Sequence, residues 1–158
     1  MNRDIYLNRK GQAMLETALV LMIIVVFTFG ITEFGRAMYI KNMLNNAARA
    51  GARQAVVTGA LGASPNPTLP FTYNQNDFPI NDTSTQKNII GTRISDSLFY
   101  VGDKKTVSAT VLCSAGATAT TGSTITVTVT LNNFTPVVAI MRKMISSTLA
   151  GQASMRYE

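Results

Sequence analysis

From Thr17 to Thr32 there is no charged residue, and that stretch constrains this chain more than any other. Its centre, Leu19-Val-Leu-Met-Ile-Ile-Val-Val-Phe-Thr-Phe-Gly-Ile31, is apolar all round, whereas a surface helix of a soluble protein keeps a polar face. Counted from Gln12 to Ile31, the run has the ~20 residues needed to cross a bilayer. Arg3, Arg9 and Lys10 precede it, opposed only by Asp4. The positive-inside bias therefore puts the N-terminus in the cytoplasm and everything after Glu33 outside.

One carboxylate sits just inside the run: Glu16, five residues after Gly11. At the centre of a membrane helix a carboxylate costs roughly 2.5–3.5 kcal/mol. Near the helix start the cost is smaller, and the positive end of the helix dipole offsets part of it. Three readings compete. A cleaved secretory signal calls for an exit of the A-x-A type, and the exit here is Gly30-Ile-Thr-Glu-Phe-Gly-Arg36. A plain single-pass anchor leaves Glu16 without a purpose. A type IV prepilin-like signal accounts for both features, because Gly11 followed by Glu16 and an apolar helix resembles the site cut by prepilin peptidases. That resemblance implies cleavage between Gly11 and Gln12 on the cytoplasmic side and a new N-terminal amine on Gln12. It also implies that Glu16 pairs with the amine of a neighbouring subunit. Each charge is costly in apolar surroundings, and pairing across subunits offsets both costs while fixing the axial register.

A length of 158 residues allows a membrane helix plus one small domain. Net charge is +6, and loss of residues 1–11 removes three cations and one anion, leaving +4. Beyond the leader the cations are scattered, with Lys104-Lys105 and Arg142-Lys143 as short pairs. No basic strip for nucleic acid results. Cys113 is the single cysteine, so no intrachain disulfide can form, and its place in an alternating run suits a small buried residue. The chain has no histidine, its Asp and Glu residues are isolated, and Gly102-Asp103-Lys104-Lys105 lacks the spacing of a phosphate loop. No enzyme activity, cofactor or metal is expected.

The helix is expected to continue past the membrane. Phe34, Ala37, Met38, Leu44, Ala48, Gly51, Ala52, Ala55 and Val56 recur at spacings of three and four, and Thr58-Gly59 is a plausible stop. A helix from Gln12 to Val57 would run ~69 Å. Ala47, Gly51 and Ala55 repeat every four residues, as do Ala48 and Ala52. Small residues at that spacing admit a close neighbour, the chain's own domain or a helix of another subunit, and both uses can hold on different faces.

These motifs taken together resemble the TadE-like family, minor pseudopilins of the tight-adherence (Tad) pilus machinery. The resemblance rests on Gly11-Gln12-Ala13-x-x-Glu16-x-Ala18-Leu19-Val20, then Glu33-Phe34-Gly35-Arg36-Ala37-Met38-Tyr39, then Asn45-Asn46-Ala47-Ala48-Arg49-Ala50-Gly51-Ala52-Arg53. It covers roughly residues 9–57, and the closing Ala153 to Glu158 is similar to the family's usual ending. Many relatives carry a proline early in the apolar helix, where this chain has Leu21-Met22-Ile23. The resemblance implies a bacterial inner-membrane protein with a periplasmic C-terminal domain and incorporation into an extracellular pilus as its end point. It implies as partners the membrane, prepilin peptidase, other pilins or pseudopilins, and an inner-membrane assembly platform. The alternative is a membrane-anchored periplasmic binding or adhesion module that does not polymerise. Such a tether needs neither Glu16 nor the Gly11 junction.

The remaining chain reads as a loop over 59–86, rich in Pro, Asn and Asp, with Phe71, Tyr73 and Phe78 either pinning it to the domain or meeting a partner. A helix follows over 86–101, its stripe made by Ile90, Ile94, Leu98 and Val101. Val107 to Ser114 and Thr124 to Leu131 alternate as an antiparallel hairpin. Val137 to Ile145 has helical spacing, and Leu149 to Tyr157 alternates as a last strand. The expected fold is α+β and pilin-like: a leader over 1–11, a transmembrane helix over 12–32, its periplasmic continuation over 33–58, the loop, and a domain over 87–158. That domain has a second helix and a roughly three-stranded antiparallel sheet.

Overall fold

A computed structural model describes residues 3–58, 68–81, 84–99, 104–135 and 148–158. Helix α1 is Arg3–Val57. The chain divides into two compact units, Met1–Arg36 and Ala37–Glu158.

In the first unit, α1 begins inside the leader, ahead of the expected start of the membrane helix at Gln12. Extending an existing helix costs far less than starting one, so residues next to a long apolar helix join it. Every residue from Gly11 to Phe29 is exposed. The three threonines of the run donate to carbonyls one turn back: Thr17 to Ala13 at 2.9 Å, Thr28 to Ile24 at 2.8 Å and Thr32 to Thr28 at 2.9 Å. Each hydroxyl is thus satisfied within the helix, as a hydrocarbon environment requires.

The second unit is α+β. It holds the rest of α1, strand β1 (Phe71–Tyr73), helix α2 (Gln86–Asp96), and strands β2 (Val107–Cys113), β3 (Thr124–Leu131) and β4 (Leu149–Arg156). The strands form one antiparallel sheet in the order β1-β2-β3-β4. Alternation in β3 puts Ile125, Val127, Val129 and Leu131 in the core and leaves Thr126, Thr128 and Thr130 half-buried on the other face. Thr126 meets its cross-strand partner Ser154 through their hydroxyls at 2.9 Å. In β2, Val107, Ala109 and Val111 are buried and Cys113 is a free, partly buried thiol packed against the core. Gly116 and Gly122, in the β2–β3 connection, both have φ near 89°, a region that side chains disfavour.

Two elements differ from the sequence expectation. The sheet has four strands, because β1 lies within the stretch read as a loop. Its three residues pair Phe71 with Val111 and Tyr73 with Ala109, and Phe71, Tyr73 and Phe78 are all buried. Those aromatics therefore pin this segment to the domain. Tyr73 packs edge-on to Phe71 at 5.7 Å and tilted on Phe78 at 5.6 Å. Its hydroxyl donates to the Lys87 carbonyl, and burial pushes its pKa well above the ordinary tyrosine range.

Helix α2 also ends earlier than expected, at Asp96. Thr85 caps its start by accepting from the Asn88 N–H at 3.2 Å. At its end Ser97 N–H bonds Ile94 and Leu98 N–H bonds Ser95, each spanning three residues. Lys104, from the turn that precedes β2, donates to the Ser95 carbonyl at 2.9 Å, a cation where a helix C-terminus favours one. Ile90, Ile94 and Leu98 are fully buried, as their spacing predicts. The expected helical segment over 137–145, and Val101, Gly102 and Asp103, lie outside the described residues.

Candidate functional site

The features singled out for assembly all lie on α1, and the helix presents them in three different settings. At its start, Gly11 has open space around its Cα, and Gly11, Gln12 and Glu16 are exposed. Glu16 stands four residues after Gln12, so both project from one side of the helix, about 6 Å apart along the axis. Among the described residues Glu16 has neither an ion pair nor a hydrogen bond. It is a lone carboxylate at the head of an apolar surface that includes Leu15, Leu19, Leu21, Met22, Ile24 and Phe27. An exposed apolar surface of this extent belongs against lipid or against other helices. No part of the run is buried, and it is the one helix among the described residues long and apolar enough to cross a membrane.

At the end of the run stands a second carboxylate. Glu33 is buried, 4% exposed, and accepts from the Arg36 guanidinium at 3.1 Å. Both residues belong to the Glu33-Phe34-Gly35-Arg36-Ala37-Met38-Tyr39 motif. An acid and a base at i,i+3 immediately after an uncharged run signal local pairing, but the burial of Glu33 has no local signature.

The third setting is the small-residue face. Ala47, Ala48, Ala52 and Ala55 have no exposed surface, and Gly51 is buried. A Cβ on Gly51 would lie 2.7 Å from Ile94 Cγ1 of α2 and 3.4 Å from Val127 Cγ1 of β3. On the same side of α1, a Cβ on Gly151 of β4 would lie 2.3 Å from the Leu44 carbonyl carbon and 2.4 Å from the Asn45 nitrogen. Asn45 then accepts the Gln152 N–H through Oδ1 at 3.3 Å. The close approach that small residues allow is thus taken up by the chain's own sheet and α2, the first of the two uses that the spacing left open. The opposite side of this stretch, with Tyr39, Lys41, Asn42, Asn46, Arg49 and Arg53, is exposed.

Comparison with known proteins agrees with the first of these settings. Residues 11–53 match the family model described as TadE-like protein. The match begins at the Gly11 junction, takes in Glu16 and the apolar run, and ends at Arg53, the stretch whose motifs carry the resemblance. It covers about a quarter of the chain. No curated protein and no solved structure gives a significant match.

Proposed function

We propose that this chain is a structural subunit of a Tad-type type IV pilus, a minor pseudopilin that prepilin peptidase cuts after Gly11. The observation that carries the reading is the combination of an exposed apolar helix with Glu16, five residues past Gly11 and without a partner among the described residues, inside the segment that matches TadE-like proteins. A helix of this kind anchors the chain in the membrane. In the proposed cycle it stores the subunit in the inner membrane with the α+β unit in the periplasm. Cleavage removes the cations Arg3, Arg9 and Lys10, which resist extraction from the cytoplasmic face, and frees the Gln12 amine. Glu16 then guides docking by pairing with the amine of a neighbouring subunit, where two separately costly charges become one compensated pair.

Helix contacts between subunits fall to the exposed apolar segment and to the exposed side of α1 beyond it, because the small-residue face is filled from within the chain. The assembly platform and the other pilins of the machinery are the partners this cycle requires. The role is non-catalytic, and the pairing of Glu16 is electrostatic.

The test has two parts. Mass analysis of the chain recovered from membranes should find Gln12 as the first residue, and Met1 or Asn2 in a strain lacking prepilin peptidase. Glu16→Ala should still insert and be cleaved, yet be missing from the sheared pilus fraction. A chain that keeps its leader in both strains, or a normally incorporated Glu16→Ala variant, would overturn the reading in favour of a permanently anchored periplasmic module.

A further inference from the structure

Three cations that the sequence scatters are gathered by the fold. Arg49 and Arg53 stand one turn apart on the exposed side of α1, and Arg93 of α2 lines the same concavity. Val57, 73% exposed, and Met155 of β4 supply apolar parts of the lining. Among the described residues none of the three guanidinium groups has an ion pair or hydrogen bond. Asp96 lies one turn from Arg93 without pairing with it, and the ion pair among the described residues is Glu33–Arg36. Like charges at i,i+4 on a helix destabilise it, and a third cation beside them adds to the repulsion. The arrangement thus disfavours the isolated domain and is relieved by an anion.

We propose that Arg49, Arg53 and Arg93 form the docking site for acidic side chains of a different protein of the pilus machinery. This rests on the assembly reading above. All three residues are arginines, whose planar donors match carboxylates two bonds at a time. The apolar flank of Val57 and Met155 suits a folded polypeptide surface, and the concave setting does not suit a flat layer of lipid headgroups. A second copy of this chain is a poor occupant. Its acids beyond α1 are Asp77, Asp82, Asp96, Asp103 and Glu158, none closer than five residues to the next, on a chain whose net charge is +4 once residues 1–11 are removed. Two such surfaces repel each other.

The test uses the full chain in cells that carry the whole machinery, with a photoreactive amino acid in place of Val57. The expected result is an adduct with another protein of the machinery. It should weaken about tenfold when Arg49, Arg53 and Arg93 are all changed to Glu, and by less than about threefold when all are changed to Lys. Reversing the charge of the cross-linked acidic residues on that partner should restore the adduct to the Arg→Glu triple variant. An adduct with a second copy, an adduct with lipid, an adduct indifferent to charge reversal, or no adduct at all overturns the proposal. Protease resistance of the domain in each variant shows that it has folded. The sheared pilus fraction of the wild type is read separately. If the wild type enters it without the expected adduct, the docking site fails and the assembly reading stands.

Discussion

Strand β4 comes close to the backbone of α1 at Gly151, and replacing Gly151 with alanine tests that approach directly. The added Cβ would sit 2.3–2.7 Å from three backbone atoms of Leu44 and Asn45. Backbone in the middle of a packed helix cannot swing aside as a side chain tip can, so strand and helix must separate. Overpacking of this kind costs about 1–3 kcal/mol. Separation also weakens the Gln152 N–H bond to Asn45, worth about 0.5–1 kcal/mol. Alanine restricts the unfolded chain more than glycine does, which returns about 0.4–1 kcal/mol. The net expectation for Gly151→Ala is a loss of about 1–3 kcal/mol. With a urea dependence of about 1–3 kcal/mol per M, the unfolding midpoint should fall by roughly 1 M. The assay is urea unfolding of the full chain in neutral detergent, followed by the near-UV signal of tyrosine, since there is no tryptophan and Tyr73 is buried in this unit. Gly35→Ala is the control, because a Cβ there meets nothing within 4 Å, and its midpoint should not fall. A Gly151→Ala midpoint equal to that of the wild type would refute the placement of β4 against α1.

Other expectations use the same assay. Tyr73 has a raised pKa, caused chiefly by burial, so its contribution is fully present below the unfolded value of ~10 and is lost as pH rises beyond it, at up to about 1.4 kcal/mol per pH unit. Urea midpoints should therefore fall above pH ~10 more steeply in the wild type than in Tyr73→Phe, which at neutral pH should lose about 1 kcal/mol with the bond to Lys87. Thr85→Ala removes the α2 cap and should cost about 0.5–2 kcal/mol, read as a midpoint shift. Gly51→Ala should destabilise by up to about 2 kcal/mol, an overpacking cost of about 1–3 kcal/mol less the ~1 kcal/mol that alanine returns inside a helix. In combination with Ile94→Val, which deletes the Cδ1 atom 2.9 Å from the new Cβ, the loss should be less than additive by about 0.5 kcal/mol or more. Strict additivity would mean that the two positions do not touch.

What could be read from the sequence was what is decided locally. The strict alternation of Thr and apolar residues over 124–131 is one strand with one buried face. The spacing of Ile90, Ile94 and Leu98 is one helical stripe, and the uncharged run before Glu33 is an apolar helix. Strand β1 was missed because three residues among prolines and asparagines carry no periodicity. They are a strand only because Val111, Thr110 and Ala109 lie opposite them. The end of α2 was misplaced because Leu98 keeps the helical period while its N–H bonds only three residues back. The Arg49, Arg53 and Arg93 cluster joins positions about forty residues apart, so counting adjacent cations cannot find it. Gly11 and Glu16 were legible for the opposite reason: their spacing within one helix is the whole of the signal.

Gly51 and Gly151 explain why the spacing of small residues alone could not choose between an internal and an external neighbour. Between helices in lipid, small residues are wanted because close approach is itself the stabilising contact. Here the same spacing serves a helix on a sheet, and the proof is reciprocal: the helix gives up a side chain at Gly51 facing Ile94 and Val127, and the sheet gives one up at Gly151 facing Leu44 and Asn45. Two glycines on facing elements fix the sliding register of helix against sheet, since a shift of two residues along β4 would bring the side chain of Leu149 or Ala153 against the α1 backbone that Gly151 meets. The adjoining Ala47, Ala48, Ala52 and Ala55 contribute little volume of their own, so the core between them is filled from the other side by Ile125, Val127, Val129, Ile90 and Ile94. In the proposed cycle α1 is the element by which the subunit is held in the membrane and later carried into the assembly. A domain attached to it by large, interchangeable side chains could slip along the helix under that load. A domain locked by two glycines and a bond from Gln152 to Asn45 moves with it.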